Sequence, residues 1–420
     1  MPFDAQGMEC EYHCPRMATD PHLALVLTGG GARAAYQVGF LRHLASSNPD
    51  LSPGILTGVS AGGIIATHLA SRSGDFAESV NRLFDLWRSL RMEHVFRVNP
   101  KELTTRMARW GLRLVSGGAP GAPRARSLVD TTPLREYLRH TLHAEPDGTI
   151  PGVAQSLGAG RLVALTLTAT SYTTGQSVTW VQGVDGCGVR TWERPQRKGI
   201  ETCMRVDHVL ASSALPLLFP AVDVDGAWYG DGGIRLTAPL SPAVHLGARR
   251  IMAVSSRYER SRAEANRPVV SGYPPPAQVA GMLLNAVFLD LLDTDALRLE
   301  QINALLNRLP ADAHEGLRHI DMLILRPSVD LGRLANDFEA DLPRTFRFLV
   351  RGLGSRETRS NDLLSLLMFQ PDYIARLIEL GEADARARAA DIDRFLGLGG
   401  VPSAHGGSEA RQSPAKTSTG

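Results

Sequence analysis

Paired cysteines, excess charge and long hydrophobic runs are all missing from this chain, and each absence closes off a class of protein. Only four cysteines occur in 420 residues, Cys10, Cys14, Cys187 and Cys203, which speaks against a disulfide-rich secreted scaffold and favours a reducing compartment. Cys10, His13 and Cys14 stand close together. No second Cys/His pair follows at zinc-finger spacing, so ordinary thiols are expected there rather than a metal. The net charge of +2 lacks the basic footprint of a nucleic-acid binder. The opening MPFDAQGMECEYHCPRMATDPH has no apolar signal-peptide core, and no apolar run approaches bilayer-spanning length. The expectation is a soluble, cytoplasmic protein, at most peripheral to a membrane. There is no internal repeat.

What is present is an ordinary globular composition, 43% hydrophobic and 21% charged. From about Leu23 to Arg257, β-type apolar runs alternate with amphipathic helical stretches. The runs are LALVL at Leu23, ILTGV at Ile55, RLVALTLTAT at Arg161, SVTWV at Ser177 and RIMAVSS at Arg250. The helical stretches are AYQVGFLRHLA, AGGIIATHLA, AESVNRLFDLWRSL and PLREYLRHTL. Strands apolar throughout and separated by helices predict a buried, mainly parallel sheet covered on both faces.

A Gly/Pro-rich loop starts at Ser116. Ahead of it, KELTTRMARWGLRLV sets Lys101, Arg106, Arg109 and Arg113 among apolar residues, as a solvated helix face or as a basic cap for a lipid surface. Beyond YERSRAEANRP the chain is mainly helical, with one strand in HIDMLILRP and a late helical hairpin or pair after Ser360. The apolar stretch from Met282 to Leu292 suits core packing, the wall of a substrate tunnel or a lipid-facing cap. The expected layout is a flexible segment over 1–20, an α/β domain over 21–258, a helical extension with one strand over 259–396, and a disordered tail over 397–420.

Two glycine-rich turns carry the chemistry. LALVLTGGGARAAY reads as strand, turn and helix start, where free N–H groups and the helix dipole converge on an anion. That anion is either a nucleotide pyrophosphate or the charge of a reacting ester carbonyl. Gly29 to Ala34 satisfies G-x-G-x-x-A, with Asp50 about twenty residues on, as a dinucleotide-binding oxidoreductase requires. Asp50, however, lies in the polar turn SSNPDLSPG rather than at the end of a strand. A P-loop is excluded because no Gly-Lys-Ser/Thr follows.

The second turn, Gly58-Val59-Ser60-Ala61-Gly62, is G-x-S-x-G between a β-type run and a helix, the context of a nucleophile elbow. A nucleophilic serine needs a base. His68, His208, His245 and His319 are all poorly placed for an α/β-hydrolase order, since none follows a strand in a short polar loop. Asp231, followed by Gly232 and Gly233, offers a carboxylate at a sharp turn, or a simple turn aspartate.

Together GGGAR at Gly29, GVSAG at Gly58 and DGG at Asp231 resemble the patatin-like phospholipases. LVDTTPLREYL at Leu128 is similar to that family's D-T-x-P-L helix start, and ASSALPLLFP at Ala211 to its A-S-x-A-x-P-x-x-F-P segment. The resemblance covers roughly Leu23 to Arg257. It implies an α/β, three-layer α/β/α fold with a helical C-terminal extension, and a lipid acyl hydrolase with no cofactor. It implies a dyad in which Ser60 is the nucleophile and Asp231 the base. Gly29, Gly30, Gly31 and Arg33 then form the oxyanion loop, with Arg33 fixing that loop or attracting a lipid head group. A carboxylate of ordinary pKa, about 4, is a weak base for serine, so its site must raise that value or compensate at the oxyanion. The implied partner is a phospholipid or other lipid ester, with peripheral membrane contact. A catalytically silent lipid-binding scaffold is the remaining alternative.

Overall fold

A computed structural model describes residues 18–71, 73–97, 127–184, 191–266, 273–288, 291–342 and 361–398, with isolated positions between 105 and 116 and at 347. Cys10, His13, Cys14, Cys187, Lys101, Arg106, Arg109, Arg113, most of the Gly/Pro-rich loop and residues 399–420 lie outside the described residues.

Ten strands form one sheet among the described residues. They are β1 (Asp20–Leu27), β2 (Pro53–Val59), β3 (Ala164–Ser171), β4 (Ser177–Gly183), β5 (Glu193–Arg194), β6 (Arg197–Glu201), β7 (Val222–Val224), β8 (Ala227–Asp231), β9 (Arg250–Val254) and β10 (Asp321–Leu325). The order is β10-β9-β1-β2-β3-β4-β6-β5, with β7 and β8 off this path. From β10 to β3 neighbours run parallel; β4 turns back antiparallel on β3.

The principal helices are α1 (Ala34–Ser47), α2 (Ala61–Ala70), α3 (Phe76–Arg88), α4 (Thr132–Thr141), α5 (Val206–Ser212), α6 (Pro276–Phe288), α7 (Leu291–Leu306), α8 (Asp362–Leu367) and α9 (Pro371–Ala387). Side chains alternate along each strand, so one strand feeds two cores. Leu25 and Leu27 of β1 and Met252 and Val254 of β9 face the core built with α1, α2 and α9. Ala24, Val26, Ile251 and Ala253 face the opposite core, with Leu292, Ala296 and Leu299 of α7. This is the expected α/β/α sandwich with a mainly parallel sheet.

Three local outcomes differ from expectation. The segment after Ser360 makes three helices rather than a pair, Asp362–Leu367, Pro371–Ala387 and Ala389–Leu396; Pro371 lacks the N–H needed to continue a helix and instead opens a new one. AQVAGMLLNAVFLDLL is shared between α6 and α7. The short edge strands β5 and β6 are charged and lack an apolar run to announce them. The helix α9 packs closely on α1, since a Cβ on Gly39 would stand 1.9 Å from Ile378 O and one on Gly381 2.1 Å from Tyr36 O. Among the described residues no helix is long and apolar enough to cross a membrane.

Candidate active site

The sheet register brings two distant bends together. One edge of β3 pairs first with β2, Val59 lying opposite Thr168. It then pairs with β8, Asp231 lying opposite Ala169. The end of β2 and the end of β8 therefore meet on adjacent β3 positions, and the residue after Val59 is Ser60.

Ser60 sits at φ 56° and ψ −133°, a conformation that costs a non-glycine residue about 1–3 kcal/mol and tends to persist where function needs it. The flanking glycines let strand and helix close up. A Cβ on Gly62 would stand 2.3 Å from Leu27 O, and one on Gly58 2.6 Å from Gly62 O. The Ser60 N–H donates to both the carbonyl and the hydroxyl of Ser212, each at 3.1 Å. Ser212 Oγ donates in turn to Thr168 O at 2.7 Å, and the Asp231 N–H donates to Ala214 O at 2.9 Å. The Ala211–Ala214 stretch thus ties both bends to one scaffold.

Asp231 is fully buried. Its Oδ1 accepts the Gly233 N–H at 2.9 Å, while Oδ2 has no hydrogen-bond partner among the described residues. Burial pushes the carboxyl up to about 7; the Ser60 hydroxyl and the Gly233 N–H pull it partly back. The Ser60 hydroxyl lies close enough to act on this carboxyl as a hydrogen-bond donor, in a geometry short of a full bond. A buried carboxyl that ionises near neutrality beside a strained hydroxyl is equipped to take a proton.

The glycine loop turns its carbonyl side inward. Ser256 Oγ donates to Gly29 O at 2.5 Å, and Gln37 Nε2 to Thr28 O at 2.8 Å. The N–H groups of Gly29, Gly30 and Gly31 have no protein acceptor among the described residues. Gly29 adjoins Ser60, its ideal Cβ position lying 3.7 Å from Ser60 Oγ.

Of the two roles expected of Arg33, its bonds suit fixing the loop. Its N–H is taken by Gly30 O at 3.0 Å. Its buried guanidinium pairs with Asp362 at 2.5 Å and donates to Ser365 Oγ at 2.7 Å. These bonds commit it to fixing the loop and leave it unavailable to a lipid head group. Asp50 is exposed and precedes β2, which removes the ribose-binding acid of a dinucleotide site.

Three of the four histidines make contacts away from Ser60, and the fourth, His68, lines the pocket beside Ser60 further along α2. His68 lies two turns along α2, about 12 Å from Ser60 along the axis. His208 is buried, its Nδ1 accepting the Arg205 N–H, and burial with Arg205 depresses its pKa to about 4. His245 stacks on Trp192, and His319 lies 3.5 Å from Asp321.

An almost wholly apolar pocket runs from Ser60 along Ile64 and His68 of α2, between Leu83 and Trp87 of α3 and Leu134 and Leu138 of α4; Leu366 and Phe369 close it from the C-terminal side. Its free volume is about 60 Å³, so an acyl chain would enter by displacing side chains. The described side chains of the stretch from Met282 to Leu292 do not line it. Met282 and Leu283 are exposed, and Leu292 is buried in the opposite core. Ser212, Ser256 and Asp362 had no signal in the sequence that assigned them to the site, although Ser212 lies within the quoted Ala211 segment.

A search of curated proteins finds no match. Among solved structures, VipD from Legionella pneumophila is 15% identical at a TM-score of 0.36, over 89% of this chain and 67% of that one. Human GIVD cytosolic phospholipase A2 is 12% identical at 0.43, over 90% and 60%. The type III effector protein ExoU, of Pseudomonas aeruginosa, is 14% identical at 0.35, over 89% and 54%. This chain thus spans between about half and two thirds of the length of these proteins. The patatin-like phospholipase family model matches residues 25–244, just over half of the chain and including all three glycine-flanked motifs, and the chain belongs to that family.

Proposed function

We propose that this chain hydrolyses acyl esters of lipids, as a phospholipase A or lysophospholipase, through a Ser60–Asp231 dyad. The observation that carries the proposal is the fully buried Asp231 carboxyl, with Oδ1 held by the Gly233 N–H and the Ser60 hydroxyl near enough to favour its charged form. Ser60 Oγ attacks the ester carbonyl carbon and passes its proton to Asp231. The carbonyl oxygen becomes the oxyanion, received by the N–H groups of Gly29, Gly30 and Gly31, where one donor is worth about a hundredfold to a thousandfold in rate. Collapse expels the alcohol, which takes the proton from Asp231 and leaves an acyl group on Ser60. Water, deprotonated by the same carboxylate, then attacks the acyl carbon; the bond to Ser60 Oγ breaks, Oγ takes the proton back from Asp231, and the fatty acid leaves.

The apolar pocket beside Ser60 suits the acyl chain. Leu217, between the pocket-lining Leu215 and Phe219, is 65% exposed at φ 66°, and helix α6, which packs against the Gly232–Ile234 turn, exposes Val279, Met282 and Leu283. We assign these side chains to contact with the lipid surface. The test is labelling by a fluorophosphonate probe. The wild type should label, Ser60→Ala should not, and Asp231→Asn should lose most labelling. Undiminished turnover by Asp231→Asn would exclude the dyad.

A further inference from the structure

The N–H groups of Gly29, Gly30 and Gly31 make no hydrogen bonds of their own among the described residues. Their direction is therefore set entirely by whatever holds the loop. Two anchors sit on its upstream side, Gln37 on Thr28 O and Ser256 on Gly29 O. The downstream side is the short turn Gly31–Arg33, and what holds it comes from more than three hundred residues away.

Helix α8 touches that turn twice. Asp362, its first residue, pairs with the Arg33 guanidinium, whose Nε also donates to Ser365 Oγ one turn further on. Near the end of α8, Leu366 O lies so close to Gly31 that a Cβ there would approach it to 2.2 Å, at a φ of 54°. The helix is itself immobilised. Asn361 Oδ1 accepts the Leu364 N–H at 3.2 Å, Ser365 Oγ and Tyr373 OH share a hydrogen bond at 2.7 Å, and Tyr373 OH donates to Leu331 O at 3.1 Å. Both charged side chains are nearly inaccessible, at 4% and 9%. A buried ion pair seldom stabilises a fold more than well-packed apolar side chains would, whereas its directional bonds do fix geometry.

We propose that Asp362 is a positioning residue for ester hydrolysis: through Arg33 it holds the glycine loop with its N–H groups turned toward the oxyanion. The inference rests on the hydrolase function proposed above. Asp362 touches neither nucleophile nor base, so its loss should lower turnover and leave ground-state binding in the apolar pocket intact.

The experiment compares wild type, Asp362→Asn and the double variant Arg33→Met/Asp362→Leu. Each is measured for kcat and KM on a soluble p-nitrophenyl acyl ester, for the second-order rate of fluorophosphonate labelling, and for Tm. Asp362→Asn should lose about tenfold to a hundredfold in kcat and in labelling rate, less than or equal to the loss of one oxyanion donor, with KM within about threefold. Asp362→Asn strands a buried cation and is prone to unfold. The double variant removes both charges, so it should melt close to wild type yet show the same loss of kcat. Wild-type kcat in a folded double variant would overturn the proposal, as would losses in Asp362→Asn that merely track its unfolded fraction. A wild type that neither labels nor turns over would instead remove the hydrolase function on which the proposal stands.

Discussion

Replacing Asp231 with asparagine keeps Oδ1 as acceptor for the Gly233 N–H and removes the buried charge. Burial moves this carboxyl from 3.8 in its ordinary setting to about 7. At about 1.4 kcal/mol per pH unit, that displacement corresponds to about 4 kcal/mol of disfavoured ionisation. The sign follows from proton linkage. The folded protein binds the Asp231 proton more tightly than the unfolded chain does between pH 3.8 and about 7, so stability falls as pH rises through that window and the whole penalty is present above it.

Asp231→Asn escapes the penalty but places an amide NH2 where Oδ2 had no partner, which costs about 1–3 kcal/mol. The net gain is therefore about 1–3 kcal/mol near pH 8, a rise in Tm of a few degrees; near pH 4 the penalty has almost vanished while the amide cost remains, so there the variant should melt below wild type. The same substitution should abolish turnover. The wild-type kcat/KM on a soluble ester should rise with pH through about 7 and fall about tenfold for each pH unit below it. Thermal melts of both proteins near pH 8 and near pH 4, with the wild-type pH profile, measure all of this. A variant that melts below wild type near pH 8, or a wild-type rate still flat near pH 5, would refute the assignment of a buried, neutral-range carboxyl to Asp231.

Two further outcomes address the substrate. Leu134→Trp adds bulk to the wall of the apolar pocket, so hydrolysis of octanoyl and longer esters should fall about tenfold or more while acetyl ester hydrolysis stays within about threefold; equal losses on both would dissociate the pocket from the acyl chain. Introducing aspartate at Leu217, Met282 and Leu283 together should weaken sedimentation with phospholipid vesicles severalfold and leave turnover of a soluble ester unchanged. Unchanged sedimentation would remove those side chains from the lipid surface.

The parts of the site legible in the sequence are those whose requirement is local. Gly58 is read from five residues because the clash a Cβ would meet there, with Gly62 and Gly63, arises within the same strand-turn-helix unit, whereas Gly62 is closed against Leu27 O of the neighbouring strand β1. The hairpin before Asp231 is legible for the same reason, since Asp225 and Gly226 both take positive φ in its turn. What the sequence withheld depends on placement across the fold. The pocket walls come from α3 and α4 rather than from the more apolar α6, because the bend at Ser60 and the sheet twist decide which amphipathic face lies beside the nucleophile.

Arg33 is the sharpest case. The motif announces a cation beside an anion-binding loop, and a free guanidinium there would serve a phosphate head group. Its destination depends on Asp362, 329 positions later, in a helix that shows no motif of its own. The basicity of Asp231 was required by chemistry but could not be read from D-G-G, since the same three residues at an exposed turn would keep an ordinary carboxylate pKa. Only β8 running along the open end of β3, with Gly232 closed against Thr168 O at what would be 2.1 Å from a Cβ, buries the group and lifts its pKa toward neutrality. Under the proposed dyad, the sequence motif therefore specifies which atoms would react, and the distant packing sets the pH at which they could.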